Sequence, residues 1–225
     1  MVQILDFSVR GQLGYDVRIN NPEATVEDYR QAINVWLDKA NWYRSRNPDL
    51  SQCEGCNRCC WERIPLTLVD LYNLMQYLEP SSESLIKAVK SWGYVTAEGP
   101  VVDIRLRHTV QGACVFLDPD TSRCKIYAFR PLVCETFICC PSSPRAQQLR
   151  EAVVNRGEDE LIRQWLHAVI RSGVDIHKTP PVNEGRKVML SLEDWPDTPF
   201  AGSRNFTGVK LRELCDTRLW KVLEK

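Results

Sequence analysis

The chain has 225 residues, 44% of them apolar and 26% charged, with 29 Lys and Arg balancing 29 Asp and Glu. A chain of this length buries roughly 70% of its unfolded surface, so it builds a core without needing crosslinks. Zero formal charge argues against a dedicated nucleic-acid binder, whose affinity rests on neutralising phosphates, and no run of about 18 apolar residues offers a membrane span.

Residues 2–20 alternate loosely, with Val2, Ile4, Phe7, Leu13, Tyr15, Val17 and Ile19 apolar, which predicts a short β-hairpin. The first ten residues lack the basic start and apolar block of an export signal, so the expected compartment is the reducing cytoplasm. Thr25 and Asp28 read as a helix cap, and Val26, Tyr29, Ile33, Trp36, Leu37, Ala40 and Tyr43 recur at helical spacing over 26–44. A second cap, Thr67-x-x-Asp70, opens a helix carrying Leu68, Leu71, Tyr72, Met75 and Leu78. Pro80-Ser81-Ser82 ends it and caps a third, with Leu85, Ile86, Val89 and Trp92.

From Pro100 the period changes to two, so Val102, Ile104, Leu106 and His108 mark a strand with one wet face, and Cys114–Leu117 is a second strand candidate. Helices are expected at 145–155, 158–171 and 208–223, while 173–208, rich in Pro and Gly, receives no assignment. The architecture this implies is α+β. One mainly helical domain spans 1–225, with a small antiparallel sheet beside a cysteine-built core at 53–140. An N-terminal hairpin and helix (1–50) and a C-terminal helical extension (141–225) flank that core.

Nine of the ten cysteines fall in two windows: Cys53, Cys56, Cys59 and Cys60, then Cys114, Cys124, Cys134, Cys139 and Cys140. In a reducing compartment such clusters favour metal over disulfides. Soft thiolates close together in a loop bring donors to one ion with little chain to order; C-x2-C pairs suit zinc, and C-x2-C-x2-C suits iron–sulfur clusters. Neighbours such as Cys59 and Cys60 project differently, so both bind one mononuclear ion poorly. The same holds for Cys139 and Cys140. Two sites, a polynuclear site or bystander thiols all remain open. Cys215, on an apolar helical stripe, reads as a buried small hydrophobe. Of the three histidines, His108 is the one whose strand leads towards Cys114.

The loop Cys53-x2-Cys56-x2-Cys59-Cys60 is followed by Cys114-Val-Phe-Leu-Asp118. Then comes Cys124-Lys-Ile-Tyr127-Ala-Phe-Arg130-Pro131-Leu-Val-Cys134-Glu-Thr-Phe137, with Cys139 beyond. This pattern resembles the YkgJ-type cysteine-cluster family, a zinc- or iron-chelating CxxCxxCC domain related to the cluster of flagellin lysine methylases. Two positions depart from it. Asn57 stands where the family often has Gly, and Glu135 where Arg is usual, which removes a positive charge near the cluster. The candidate metal ligands are Cys53, Cys56, Cys59, Cys60, Cys114, Cys124, Cys134 and Cys139. The expected cofactor is a [4Fe–4S] cluster by a narrow margin, or zinc. Arg130 is the candidate cofactor-binding residue, because its guanidinium would offset thiolate charge and donate to sulfur; the alternative is that Arg130-Pro131 simply ends a short helix begun at Cys124.

No G-x-G-x-x-G, P-loop, H-E-x-x-H, G-x-S-x-G or radical-SAM C-x3-C-x2-C pattern occurs. The leading expectation is therefore a metal-binding module with a structural, redox or assembly role, with room for a protein partner. A protein-lysine methyltransferase-like enzyme and a thiol/disulfide redox protein are the alternatives. Binding of S-adenosylmethionine tests the first, and thiol counting after mild oxidation tests the second.

Overall fold

In the computed structural model, which describes residues 1–39, 56–79, 81, 84–98, 101–173 and 195–225, the N-terminal alternation folds as it predicts. Strand β1 (Val2–Val9) pairs antiparallel with β2 (Gln12–Ile19), from Val2↔Ile19 to Val9↔Gln12. Arg10 and Gly11 between them have φ of 51° and 75°, the positive values that let a two-residue turn follow the twist of its strands. Helix α1 (Val26–Lys39) buries Val26, Tyr29, Ile33 and Trp36, and Trp36 packs on Tyr15 of β2 with ring centroids 5.6 Å apart. The expected last turn of this helix, 40–44, lies outside the described residues.

Helix α2 (Leu68–Leu78) begins at a complete capping box: Asp70 N donates to Thr67 Oγ1 at 3.2 Å, and Thr67 N donates to Asp70 Oδ2 at 2.9 Å. Helix α3 (Leu85–Trp92) is capped by Ser84 and not by the serines after Pro80. Strand β3 (Gly93–Glu98) leaves α3 with no intervening loop and pairs with β4 (Val101–Leu106) in a second antiparallel hairpin.

The strand expected at 102–108 is thus present, but its partner is β3, which the sequence reading did not assign. Cys114–Leu117 is not a strand and makes only isolated bridges, His108↔Cys114 and Leu117↔Cys124. The reason is local: Phe116 N donates to Cys114 Sγ and Leu117 N to Cys114 O, so this stretch closes a turn on itself.

After the short helix α4 (Leu132–Thr136), α5 (Pro144–Ser172) runs unbroken for 29 residues where two helices were expected. Ser143 caps it by accepting from Ala146 N at 3.1 Å, with Pro144 in its first turn, and Gly173 ends it at a φ of 65°. Gly157 looks like a break but marks a close approach: a Cβ there would stand 2.6 Å from Thr67 Cγ2 at the start of α2.

The expected closing helix is two, α6 (Leu211–Leu214) and α7 (Thr217–Leu223), because Cys215 is extended and Asp216 caps Leu219 N at 2.7 Å. Leu211, Leu214, Leu219, Trp220 and Leu223 are buried as the stripe predicts, while Cys215 is half-buried at the junction. Of the unassigned 173–208, residues 174–194 lie outside the described residues; Phe200 and Phe206 are in the core. The molecule is a mainly helical α+β domain with two small antiparallel sheets packed on α5. No described helix is long and apolar enough to cross a membrane.

Candidate metal centre

Backbone hydrogen bonds join the cysteine-bearing segments in series. The 3-10 turn Arg58–Trp61 carries Cys59 and Cys60, and Cys114 N donates to Cys60 O at 2.7 Å. Leu106 N donates to Ile64 O, and Leu66 N to Ile104 O, so the segment after this turn lies along β4. Lys125 N donates to Phe116 O at 2.9 Å, which ties Cys124 beside Cys114. A second 3-10 turn, Tyr127–Phe129, leads through Pro131 into α4, which carries Cys134. No helix begins at Cys124.

The result is one cavity of about 40 Å³ lined by Cys56, Cys59, Cys60, Cys114, Cys124 and Cys134, with Ile64, Leu106, Ile126, Tyr127, Arg130 and Pro131 between them. Six of the eight candidate ligands meet here. Cys53 lies outside the described residues. Cys139 is not on this cavity; with Cys140 it lines a separate open groove of about 450 Å³, which also reaches Cys59. His108 belongs to neither. It lines another groove, with Arg63 and Arg105, on the outer side of β4. None of the nine described cysteines is in a disulfide. Among the described residues no three Cys, His, Asp or Glu side chains form a ready-made metal site. What the fold supplies is thiols around a common wall, each with only χ1 left to turn.

The electrostatics suit a cation. Hydrogen bonding with Cys59, then burial, then the charge of Cys59, holds the Cys60 thiol far above its ordinary range. Burial pushes Cys114 up to about 11 and Cys134 well above its usual value. It also raises Cys124, with Arg130 pulling the other way. Buried neutral thiols of this kind are poor nucleophiles, but a bound metal ion deprotonates a coordinating thiol outright.

Two features fit such an ion. Phe116 N donates to Cys114 Sγ at 3.4 Å, a bond that favours the thiolate over the thiol. Arg130 lines the cavity, stacks 4.1 Å from the Tyr127 ring and donates to Tyr127 O and Asn34 Oδ1, yet its buried Nε–H has no acceptor among the described residues.

Two anchors escaped the sequence reading. Asp70, whose capping role was legible, uses its other oxygen to accept from Leu132 N at 2.8 Å, and so pins the start of α4 to α2. Burial raises its carboxyl to about 6. Glu135, the departure from the family pattern, is buried and takes both oxygens to Arg30 of α1, at 2.5 and 2.9 Å. Arg30 had no mark beyond a place on the polar face of α1. The pair ties α4, which carries Cys134, to α1.

Residues 52–157 match the CxxCxxCC family model, described as "Putative zinc- or iron-chelating domain". This stretch is similar to that domain. The match covers just under half of the chain and ends inside α5, so the matched stretch includes every element around the cavity except α1. The uncharacterized protein MJ0661 of Methanocaldococcus jannaschii is similar, 37% identical over 84 residues, which is 36% of this chain and 41% of that protein. The aligned stretch spans well under half of that curated relative. No solved structure matches.

Proposed function

We propose that the CxxCxxCC domain holds a polynuclear, thiolate-bound metal centre, an iron–sulfur cluster of the [4Fe–4S] type, and that the centre serves to fold the domain. The supporting observation is the cavity itself, where six cysteines from four segments face one another beside an arginine N–H that has no acceptor among the described residues. With both Cys59 and Cys60 on its wall the cavity has six thiols, more than the four that one tetrahedral ion accepts. Cys53, Cys56 and Cys59 have the triple spacing of cluster loops. The cluster would supply a multinuclear anchor for these thiols, and Arg130 would offset its negative charge. A catalytic metal keeps an open position for substrate; the described walls of this cavity are mainly apolar and its volume is small, which favours a structural role.

Zinc is the second reading, and the cavity's size favours it. About 40 Å³ corresponds to roughly three water positions, which accommodates bare ions more easily than a core of irons and sulfides. Anaerobic purification with a visible spectrum and analysis of iron, zinc and acid-labile sulfide separates the two. Brown protein with iron and sulfide supports the cluster. Colourless protein with stoichiometric zinc replaces it with the second reading. Absence of both metals removes the centre altogether.

A further inference from the structure

We propose that the free edge of β3 and the basic face beside it dock an extended, acidic segment of a partner protein, which joins the β3–β4 hairpin as an added strand. This docking needs no metal, so it stands or falls apart from the function proposed above.

The edge follows from the hydrogen bonds of β4. Leu66 N donates to Ile104 O at 2.9 Å, Leu106 N to Ile64 O at 2.7 Å, and Ile104 N to Glu158 Oε1 at 3.1 Å. Ile104 and Leu106 thus turn their backbone groups away from β3. Alternate residues of an antiparallel pair face opposite ways, so Asp103 and Arg105 face β3, where their partners are Thr96 and Tyr94. Gly93, Val95 and Ala97 therefore direct their carbonyls to the outer edge of this two-stranded sheet. Arg107 Nε donates to Gly93 O at 3.1 Å and closes the first of these positions. Among the described residues nothing hydrogen-bonds to the backbone of Val95 or Ala97 on that edge. Such an edge is a template for another strand.

The face beside the edge selects which strand. An open groove of about 670 Å³ is lined by Tyr94 and Thr96 of β3, Asp103 and Arg105 of β4, and Arg63 and His108. Asp103 is occupied, pairing with Arg105 and accepting from Thr96 Oγ1 at 3.4 Å. Arg63 is exposed and has no ion-pair partner among the described residues. With Arg107 at the start of the edge, three guanidiniums gather at the base of the hairpin, in a chain whose formal charge is zero.

A partner strand matches both features. Its main chain pairs with Val95 and Ala97, and every second side chain stands on the groove side. An added strand lies about 10 Å from β4, two strand spacings, a gap that a glutamate and an arginine bridge together. Main-chain pairing supplies affinity and the alternate carboxylates supply specificity. Leu106 lines both this groove and the thiol cavity, so the docked segment lies beside the cysteines.

The test is calorimetric titration of the full-length protein with acetyl-Glu-Val-Glu-Val-Glu-amide, whose alternation puts its glutamates on one side of a strand. Saturable binding of one peptide per chain is expected. N-methylation of all its peptide nitrogens keeps every charge and removes the main-chain donors, and should weaken binding at least tenfold, as two lost hydrogen bonds imply. Arg107→Gln should weaken it about fivefold, the upper end for one exposed charge pair. Lys221→Gln, on α7 and off the groove, should change nothing. Undiminished binding of the N-methylated peptide overturns strand addition, and does so without relying on a variant that folds. Equal affinity for acetyl-Lys-Val-Lys-Val-Lys-amide overturns the acidic partner. No binding at about 1 mM peptide, the weak limit of specific recognition, overturns the docking site. A concentration-dependent dimer that the peptide fails to dissociate overturns it too, by giving the edge to a second copy of the chain.

Discussion

The scaffold and the thiol segment are ordered by different physics. In the scaffold, β2, α1 and α5 bury Tyr15, Val17, Ile19, Tyr29, Ile33, Leu149, Val153, Leu161 and Trp165 against one another, and long elements are continuous through that core. Between Arg107 and Ser143 the regular elements have three and five residues, lengths at which a helix has no stability of its own. Val110 is almost fully exposed, and the buried side chains are few: Cys114, Ile126, Pro131, Leu132, Val133, Thr136, Ile138 and the charged Glu135. This segment is held at its ends, by Cys60 O, Asp70, Arg30 and the β2 edge, with cysteines where a core would be. Apolar burial orders the first region; the second has thiols where the first has packed side chains, and on the function proposed above a metal orders it.

The strongest challenge to this contrast is metal removal, or Cys134→Ser. Structural metal contributes about 10–16 kcal/mol of apparent binding free energy in small domains. Hydrogen exchange should therefore lose protection across 107–140 while α5 keeps it. Uniform loss would show that the two regions share one source of order.

Next in size is the ion pair that joins them. Arg30→Ala leaves Glu135 buried and charged, which should cost about 3–5 kcal/mol in urea unfolding. Arg30→Met with Glu135→Leu should recover most of that loss, because a well-packed apolar pair replaces a desolvated one. A single variant within 0.5 kcal/mol of wild type, far below the usual cost of an unpaired buried charge, would mean that the pair is not what docks α4.

A smaller effect tests the scaffold alone. Glu158 of α5 accepts from Ile104 N at 3.1 Å, and burial raises its carboxyl from 4.5 to about 7, with Asp103 and Asp159 raising it further and Arg105 opposing. The folded state therefore holds this proton more tightly than the unfolded chain. Its contribution is complete below about pH 4.5 and is lost as pH rises through 7. At about 1.4 kcal/mol per pKa unit, the loss is at most about 3 kcal/mol. Glu158→Gln should flatten stability between pH 5 and 8, the window that linkage assigns to this carboxyl; an unchanged slope would place the titration elsewhere.

The smallest concerns the crossing of α5 over α2. Gly157→Ala gains up to about 1 kcal/mol of helix propensity but drives a Cβ into Thr67 at the α2 cap. A net destabilisation of about 1–2 kcal/mol is expected by thermal unfolding, and a stabilised variant would show that the cap yields.

Much of the scaffold was legible in the residues. The 2–20 alternation gives a hairpin, the Thr67-x-x-Asp70 box caps a helix, and the stripe from Val26 to Trp36 is buried as spaced. Those rules fail where a local cue has a distant cause. Gly157 reads as an interruption because its contact, Thr67, is ninety residues away in the chain. Strand β3 was missed because it continues straight from α3. Cys114–Leu117 has strand composition, but its N–H groups turn back to Cys114.

The chain by itself determined that thiols gather in two windows and that residues 53–140 carry a zinc- or iron-chelating pattern, because spacing of soft donors is a local property. Only the tertiary structure decided which thiols share a cavity, since that depends on long-range hydrogen bonds and one buried ion pair. It set Cys56, Cys59, Cys60, Cys114, Cys124 and Cys134 around one wall, left Cys139 beside Cys140 in the groove, and gave Arg130 an N–H with no acceptor among the described residues. Side chains far apart in sequence meet only when packing removes every other place for their backbones to go, and no residue pattern states that in advance.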